Sequence, residues 1–121
     1  MGAEVTSLLL ISRQSPYGGS YAHEALDIAL SAAAFDIAVS LLFMDDGVYQ
    51  LLKDQHPNHG SKNLGAVLGA LPLYDINELW VESDSLAARH LQTADLAHAA
   101  QSIPGGEIAK LVSRFDRVLT I

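Results

Sequence analysis

The sequence predicts one α/β domain over residues 1–121, a three-layer sandwich in which helices cover both faces of a mostly parallel β-sheet. Short and almost wholly apolar runs alternate with amphipathic stretches along the chain, and this alternation is typical of parallel sheets. The residue types AVILMFWYC supply 50% of the 121 positions, which is enough for a sizeable core. No linker, repeat or low-complexity block divides the chain, so we expect a single domain.

The first two elements are a buried strand and an alanine-rich helix. Val5–Ile11 is apolar at nearly every position, as expected of a central parallel strand covered on both faces. A loop with one proline and two glycines, Ser12–Ser20, follows it. From Tyr21 onward apolar residues recur at intervals of three and four, which predicts an amphipathic helix with Ser20 as its N-cap.

The middle of the chain adds two strands and three short helical segments. Ile37–Met44 predicts a second buried strand, and Asp46 is the expected N-cap of the helical segment after it. Glu78–Val81 predicts the third strand. The helical segments are Val48–Lys53, Asn63–Leu71 ended by Pro72, and one that is capped by Ser83 or Asp84 and continues to about His90.

The last part of the chain predicts a helix and a closing strand. Asp95–Ser102 is ambiguous, and a weak edge strand is one interpretation of it. Pro104–Arg114 suits a helix, because proline is tolerated in the first turn. Arg117–Ile121 predicts the final strand.

The charge balance excludes several classes of partner. Asp and Glu number 14 against seven Lys and Arg, which gives a net charge of −7, and the bases form no cluster. We therefore expect no direct contact with nucleic acid and none with an anionic membrane. Charged residues make up only 17%, against a usual value of about 25%, which favours an oligomer with part of its surface covered.

The length of the apolar runs and the absence of cysteine exclude further classes of function. No apolar run is long enough to span a membrane and no signal-peptide pattern precedes the first strand, so we expect a cytoplasmic protein. The chain contains no cysteine. It therefore has no disulfide, no thiolate metal site and no cysteine nucleophile.

Two candidate sites follow predicted strands, at the edge where open parallel sheets usually bind ligands. The Ser12–Ser20 loop precedes a helix N-terminus and could hold phosphate, but it contains no lysine and matches neither common phosphate motif. Asp45 and Asp46 could bind Mg²⁺, although adjacent residues on an extended chain point to opposite faces. A tight loop and a helix cap explain these residues more simply, and we expect neither metal nor cofactor.

Two further groups of residues have simple structural explanations. His56 and His59, near Asp54, could bind a divalent metal, but the proline between them prevents a helical arrangement and solvated loop histidines are favoured. Tyr74 and Trp80 flank an acidic stretch that lacks bases. Such aromatic residues belong either to the core or to a subunit contact, and the acidic stretch could meet a basic partner.

Several runs together carry a resemblance to a known family. They are Pro16-Tyr17-Gly18, Ala22–Asp27, Phe43–Leu52, Leu73–Ile76 and a final strand that opens with Phe115-Asp116. These runs resemble the DsrE/DsrF-like sulfur-relay proteins, and within that family the TusC, or DsrF-type, subunits. The resemblance covers essentially the whole chain, and the runs DGVYQLL and LYDI are its most specific parts.

The resemblance implies a fold and a set of partners. The implied fold is a small α/β sandwich around a mostly parallel sheet. The implied assembly is a heterohexamer with two homologous subunits, TusB-like and TusD-like, each present in two copies. Such a complex takes persulfide sulfur from a donor protein and passes it to an acceptor, toward 2-thiolation of the tRNA wobble uridine. Related complexes act in dissimilatory sulfur oxidation.

The resemblance also implies where the relay chemistry takes place. In this family the relay cysteine belongs to the TusD/DsrE-type subunit, at the end of the third strand and before a helix. That position falls at about Glu82 in this chain. Because a glutamate cannot form a persulfide, we predict a non-catalytic, structural subunit with no catalytic residue of its own.

Two functions from different classes remain open at this stage. For the relay subunit, we expect the Asp46–Leu52 and Leu73–Trp80 regions to face the partner subunits. The residues concerned are Asp46, Gly47, Val48, Tyr49, Leu73, Tyr74 and Trp80. The alternative is a free-standing small α/β protein that binds a phosphorylated ligand with Mg²⁺ at the carboxyl ends of the strands.

Overall fold

Five parallel strands form one sheet through the middle of the protein. The computed structural model describes residues 5–17, 19–53 and 64–121. The strands are β1 (Ser7–Ser12), β2 (Ala38–Phe43), β3 (Glu78–Glu82), β4 (Gln101–Ile103) and β5 (Arg117–Thr120). They lie side by side in the order β4-β3-β2-β1-β5, and every neighbouring pair is parallel. The predicted α/β class is therefore confirmed.

Helices flank this sheet on both faces. The α-helices are α1 (Tyr21–Ala34), α2 (Leu64–Ala70), α3 (Ser83–Ala88) and α4 (Ile108–Val112). Short 3₁₀ helices cover Asp45–Leu51, Leu71–Tyr74, Thr93–Asp95 and Gly105–Glu107. None of the described helices combines the length and the hydropathy needed to cross a bilayer.

Alternate residues of the central strands supply two separate cores. Leu10 of β1 and Leu41 of β2 belong to the larger core, which includes the apolar side chains of α1 and α2. Leu9 and Leu42, their neighbours in sequence, belong to the smaller core, together with Leu111 of α4. A parallel strand covered on both faces requires this division, and it explains the nearly continuous apolar runs in the sequence.

One predicted N-cap is wrong, and another is confirmed in position only. Asp46 is not an N-cap, because the 3₁₀ helix begins at Asp45 after an extended Met44. Ser20 does precede α1, but its side chain makes no capping hydrogen bond and its hydroxyl donates to Glu24 Oε1 at 3.1 Å.

The second half of the chain also differs in detail. Glu82 precedes α3 as its N-cap residue, in place of the expected Ser83 or Asp84. The ambiguous segment Asp95–Ser102 runs into the three-residue strand β4 at the edge of the sheet, which confirms the edge-strand interpretation. The long helix predicted from Pro104 to Arg114 is a 3₁₀ turn followed by the five-residue α4.

Asp116 joins the beginning of β1 to the beginning of β5. Its Oδ2 accepts hydrogen bonds from Thr6 Oγ1 at 2.6 Å, Thr6 N at 2.9 Å and Ser7 N at 3.1 Å. The Asp116 amide donates in return to Ser7 Oγ at 3.0 Å. These hydrogen bonds, with that of the Thr6 hydroxyl the largest cause, lower the pKa of the Asp116 carboxyl below its usual value.

Candidate site at the carboxyl ends of the strands

Polar side chains gather where the first three strands end. Ser12 lies opposite Phe43 in the register of β1 and β2, and Phe43 lies opposite Val81 of β3. The residues that follow these positions are therefore neighbours along one edge of the sheet, as in other open parallel sheets. We call this edge the carboxyl edge, and its charged members are Arg13, Asp45, Asp46, Glu82, Asp84 and Arg89.

The two adjacent carboxylates of the carboxyl edge have different partners. Arg13 donates from Nε to Asp45 Oδ2 at 2.6 Å. Arg89 donates from Nε and Nη2 to Asp46 Oδ1 at 3.1 and 3.0 Å. Asp45 has a positive φ of 52°, so the chain turns sharply between the strand and the helix. This arrangement does not favour a shared Mg²⁺ ion, which needs carboxylate oxygens that converge.

The described residues offer no alternative metal centre. No group of three or more His, Asp or Glu side chains among them is arranged to hold a metal ion. His56, His59 and Asp54, the predicted histidine candidates, lie outside the described residues.

Glu82 stands at the last position of β3, directly before α3. This is the strand end at which the resemblance places the relay position. Its Oε1 accepts a hydrogen bond from the Ser85 hydroxyl, and Ser85 Oγ accepts one from the Asp45 amide at 2.8 Å. Glu82 is therefore tied through one serine to the loop after β2.

Asp84 of α3 and Gly105, which follows β4, lie next to the Glu82 carboxylate. The Gly105 amide donates to Asp84 Oδ2 at 2.9 Å. A Cβ at Gly105 would lie 2.7 Å from Asp84 Oδ2 and 3.0 Å from Glu82 Oε2, so a side chain there would displace one of the two carboxylates. The carboxyl edge is thus filled by acidic groups that have local hydrogen-bond donors.

The Asp45–Leu51 helix is fastened to the loop after β1 at two points. A Cβ at Gly47 would lie 2.0 Å from Ser12 O, so the backbones touch there. Gln50 is only 1% exposed and donates from Nε2 to Ser12 Oγ at 2.7 Å and to Gln14 O at 3.0 Å. The sequence-based candidates do not include Gln50, although a lone amide inside the apolar run VYQLL is a signal for such a role.

Four of the seven residues predicted to face partners lie in this helix, and they differ in exposure. Asp46 is exposed, whereas Gly47 is buried. Val48 is 0% exposed and belongs to the larger core, so its side chain is covered by this chain itself. Tyr49 is half-buried, with Arg89 Cζ at 6.0 Å from the centre of its ring.

The other three residues lie on opposite faces of the sheet. Leu73 and Tyr74 are 85% and 50% exposed, in the 3₁₀ helix that contacts α1 and α2. Trp80 is half-buried on the α4 face, where its Nε1 donates to Glu78 Oε1 at 2.6 Å and Arg114 Cζ lies 5.9 Å from its ring centre. The seven residues therefore do not form one continuous surface.

Comparison with known protein families and individual proteins identifies the family of this chain. The family model described as the DsrE/DsrF-like family matches residues 6–121. The chain belongs to the DsrE/DsrF-like family. A protein of Pseudomonas aeruginosa named "Protein TusC homolog" is 47% identical over 116 residues, which covers 95% of this chain and 98% of that protein.

A second relative and one solved structure are also similar to this DsrE/DsrF-like chain. The "Intracellular sulfur oxidation protein DsrF" of Allochromatium vinosum is 42% identical over 101 residues, covering 83% of this chain and 74% of that protein. The crystal structure of the ychN protein from E. coli has a TM-score of 0.83 at 21% identity and covers 96% of this chain and 99% of that chain. At this identity the structural likeness shows the DsrE/DsrF-like fold alone.

Proposed function

We propose that this chain is the non-catalytic, TusC-type subunit of a TusBCD-like sulfur-relay complex, which passes persulfide sulfur toward 2-thiolation of the tRNA wobble uridine. The observation that carries the proposal is the 47% identity to a TusC homolog across 95% of the chain. The absence of cysteine agrees with a non-catalytic role, because a sulfane sulfur is accepted and handed on by a thiolate.

The carboxyl edge suggests what the subunit contributes. Glu82 occupies the strand end at which a relay subunit would carry its cysteine, and Ser85 and Asp84 surround it. A carboxylate accepts no sulfur, so the sulfur stays on the cysteine of the TusD-like partner. The role of this chain is to complete the assembly and to shape the surface beside that cysteine.

The exposed members of the predicted set are the proposed contacts with the TusB-like and TusD-like subunits. Leu73 and Tyr74 are large side chains in solvent, on a chain with few charges, and Asp46 adds a polar contact at the carboxyl edge. Tyr49 and Trp80 are half-buried, and the exposed part of each side chain is a proposed contact with a partner subunit. Partly buried aromatic side chains often anchor subunit interfaces.

Native mass spectrometry of the complex tests this proposal. The chain is expressed together with the homologous small proteins of its own source and purified gently through a tag on this chain. We expect two copies of each of three subunits, with the mass of one added sulfur atom on a cysteine-bearing partner after treatment with a persulfide donor. Recovery of this chain without any homologous partner would overturn the proposal.

Variants of the exposed apolar residues test the proposed contacts. Leu73→Asp is expected to weaken partner binding by about tenfold or more, because a charge would be buried in an apolar contact. Ala109→Asp places the same charge on the exposed surface of α4 and serves as the matched control. Equal recovery of partners with both variants would move the interface elsewhere.

The biological pathway has its own test. Deletion of the gene is expected to remove 2-thiouridine from tRNA, and the wild-type gene is expected to restore it. If 2-thiouridine is unchanged and sulfur oxidation is lost, the complex acts in sulfur oxidation instead. Sulfur oxidation is the process given in the name of the Allochromatium vinosum relative.

A further inference from the structure

A cavity of about 300 Å³ lies where β3 and β4 begin, on the opposite edge of the sheet from the carboxyl edge. Its walls are α2, the 3₁₀ helix after it, the start of β3 and the residues before β4. The buried side chains of Leu68, Leu71 and Ile76 form its apolar floor. We call it the amino-edge cavity. Its volume is at the lower end of the range for ligand-binding cavities, so it suits a small ligand.

Two polar side chains, those of Asn77 and His98, line the amino-edge cavity. Trp80 and Gln101 are partners in the register of β3 and β4. Asn77 and His98 each lie three positions earlier, so they are neighbours at the start of two adjacent parallel strands. Neither side chain has a hydrogen-bond or ion-pair partner among the described residues. The cavity therefore combines an apolar floor with two adjacent polar groups that are free to bind a ligand.

His98 is the one lining residue of the amino-edge cavity that can carry a charge. Its ring faces α2, because a Cβ built at Gly69 would lie 3.9 Å from His98 Cε1, and α2 has no titratable residue. The titratable residues of the other surrounding segments do not line the cavity, and they are Tyr74, Asp75, Glu78 and Asp95. Burial lowers the pKa of His98, since the charged ring loses hydration and gains no carboxylate in return.

We propose that the amino-edge cavity binds a small aromatic carboxylic acid as its anion. The ring of the ligand packs on the apolar floor, and its carboxylate accepts hydrogen bonds from the Asn77 amide group and from protonated His98. Both free side chains can donate, and a carboxylate only accepts. It also supplies the negative charge that the protonated His98 ring lacks in the folded chain. The site lies on the other edge of the sheet from Glu82, so it is independent of the sulfur-relay role.

Benzoate is the probe, and NMR of the histidine ring signals of the purified full-length chain is the measurement. The His98→Gln variant assigns the His98 signals. We expect a dissociation constant in the millimolar range at about pH 6, as for a ligand of few atoms. Benzoate should raise the pKa of His98 by about one unit, because the anion favours the charged ring. Its affinity should therefore fall about five- to tenfold between about pH 5.5 and about pH 7.5. His98 signals that benzoate leaves unchanged would overturn the proposal.

A neutral probe and three variants separate carboxylate recognition from plain apolar binding. Benzyl alcohol has the same ring without a charge, and we expect it to bind more weakly and without pH dependence. His98→Gln and Asn77→Ala are each expected to weaken benzoate binding about fivefold. His23→Gln changes a half-buried histidine of α1 and is the matched control, with the affinity of the wild type. Far-ultraviolet circular dichroism confirms that each variant is folded. Equal wild-type affinity for the two probes, or unchanged benzoate binding in both cavity variants, would overturn the proposal.

Discussion

At Gly47 the backbone of the Asp45–Leu51 helix packs directly against the end of β1. Its own hydrogen atom leaves room for the Ser12 carbonyl, whereas a Cβ would lie 2.0 Å from the carbonyl oxygen and 2.8 Å from the carbonyl carbon. Both obstacles are backbone atoms, so no side-chain rotation relieves the clash. The glycine of the DGVYQLL run is therefore required by packing.

Gly47→Ala is expected to lower the free energy of unfolding by about 2–3 kcal/mol, the usual effect of overpacking a site that cannot relax. Gly106→Ala is the matched control, because an added Cβ meets no atom within 4 Å there. That variant should change stability by less than about 0.5 kcal/mol. Urea unfolding measures both, and equal stability of the two variants would contradict the packing argument.

His98 couples stability to pH. It lines a shallow cavity of about 300 Å³ with Leu68, Leu71 and Ile76, and burial lowers its pKa below the ordinary value. The unfolded chain therefore binds a proton at a higher pH than the folded chain does. The contribution of His98 to stability is lost as pH falls from about 6.5 toward its folded pKa, and below that pKa no more is lost.

His98→Gln is expected to remove this component. The difference in free energy of unfolding between the wild type and the variant should change in favour of the variant as pH falls from about 7.5 to about 5. Urea titrations at several pH values provide the measurement. Stability curves that remain parallel across this range would show that His98 does not contribute.

At the scale of elements, the 3₁₀ helix Asp45–Leu51 holds the carboxyl edge together. Gln50 of this helix donates hydrogen bonds to Ser12 and Gln14. Arg89, the residue after α3, donates to Asp46 of the same helix. Ser85 of α3 meets the Asp45 amide from the same direction. Two segments that are distant in sequence, the end of β1 with its loop and α3 with the residue after it, thus depend on one short helix for their relative positions.

Gln50→Ala is expected to lower the free energy of unfolding by about 2–3 kcal/mol, because Ser12 Oγ and Gln14 O would both lose a buried donor. Gln101→Ala, on the exposed edge strand β4, is the control and should cost less than about 0.5 kcal/mol. Thermal and urea unfolding of both proteins provide the measurement. A loss for Gln50→Ala no greater than that for the control would show that the amide does not fasten the loop.

The strands could be predicted from the sequence because burial on both faces leaves a local apolar signal. The spacing of apolar residues at intervals of three and four likewise predicted α1. The ambiguous segment Asp95–Ser102 has no such pattern. The pairing of Asp45 with Arg13 could not be foreseen, because it depends on a positive φ and on strand register. The exposure of Leu119 was equally hidden, since the apolar run of β5 resembles a covered strand and only the position of α1 leaves it open.

At the scale of the whole molecule, apolar surface is unevenly distributed. The charged side chains of the carboxyl edge have hydrogen-bond partners within the chain, whereas the large apolar side chains of Leu73, Tyr74, Phe35 and Leu119 are exposed.

The junction made by Asp116 has a consequence for how the chain folds. Thr6 and Asp116 are 110 positions apart, so pairing β5 with β1 closes a very long loop, and such distant pairings make folding slow. Until that closure, the apolar β1 has an unpaired edge that can template association with another chain. How long that edge stays open therefore depends on how fast β5 reaches β1.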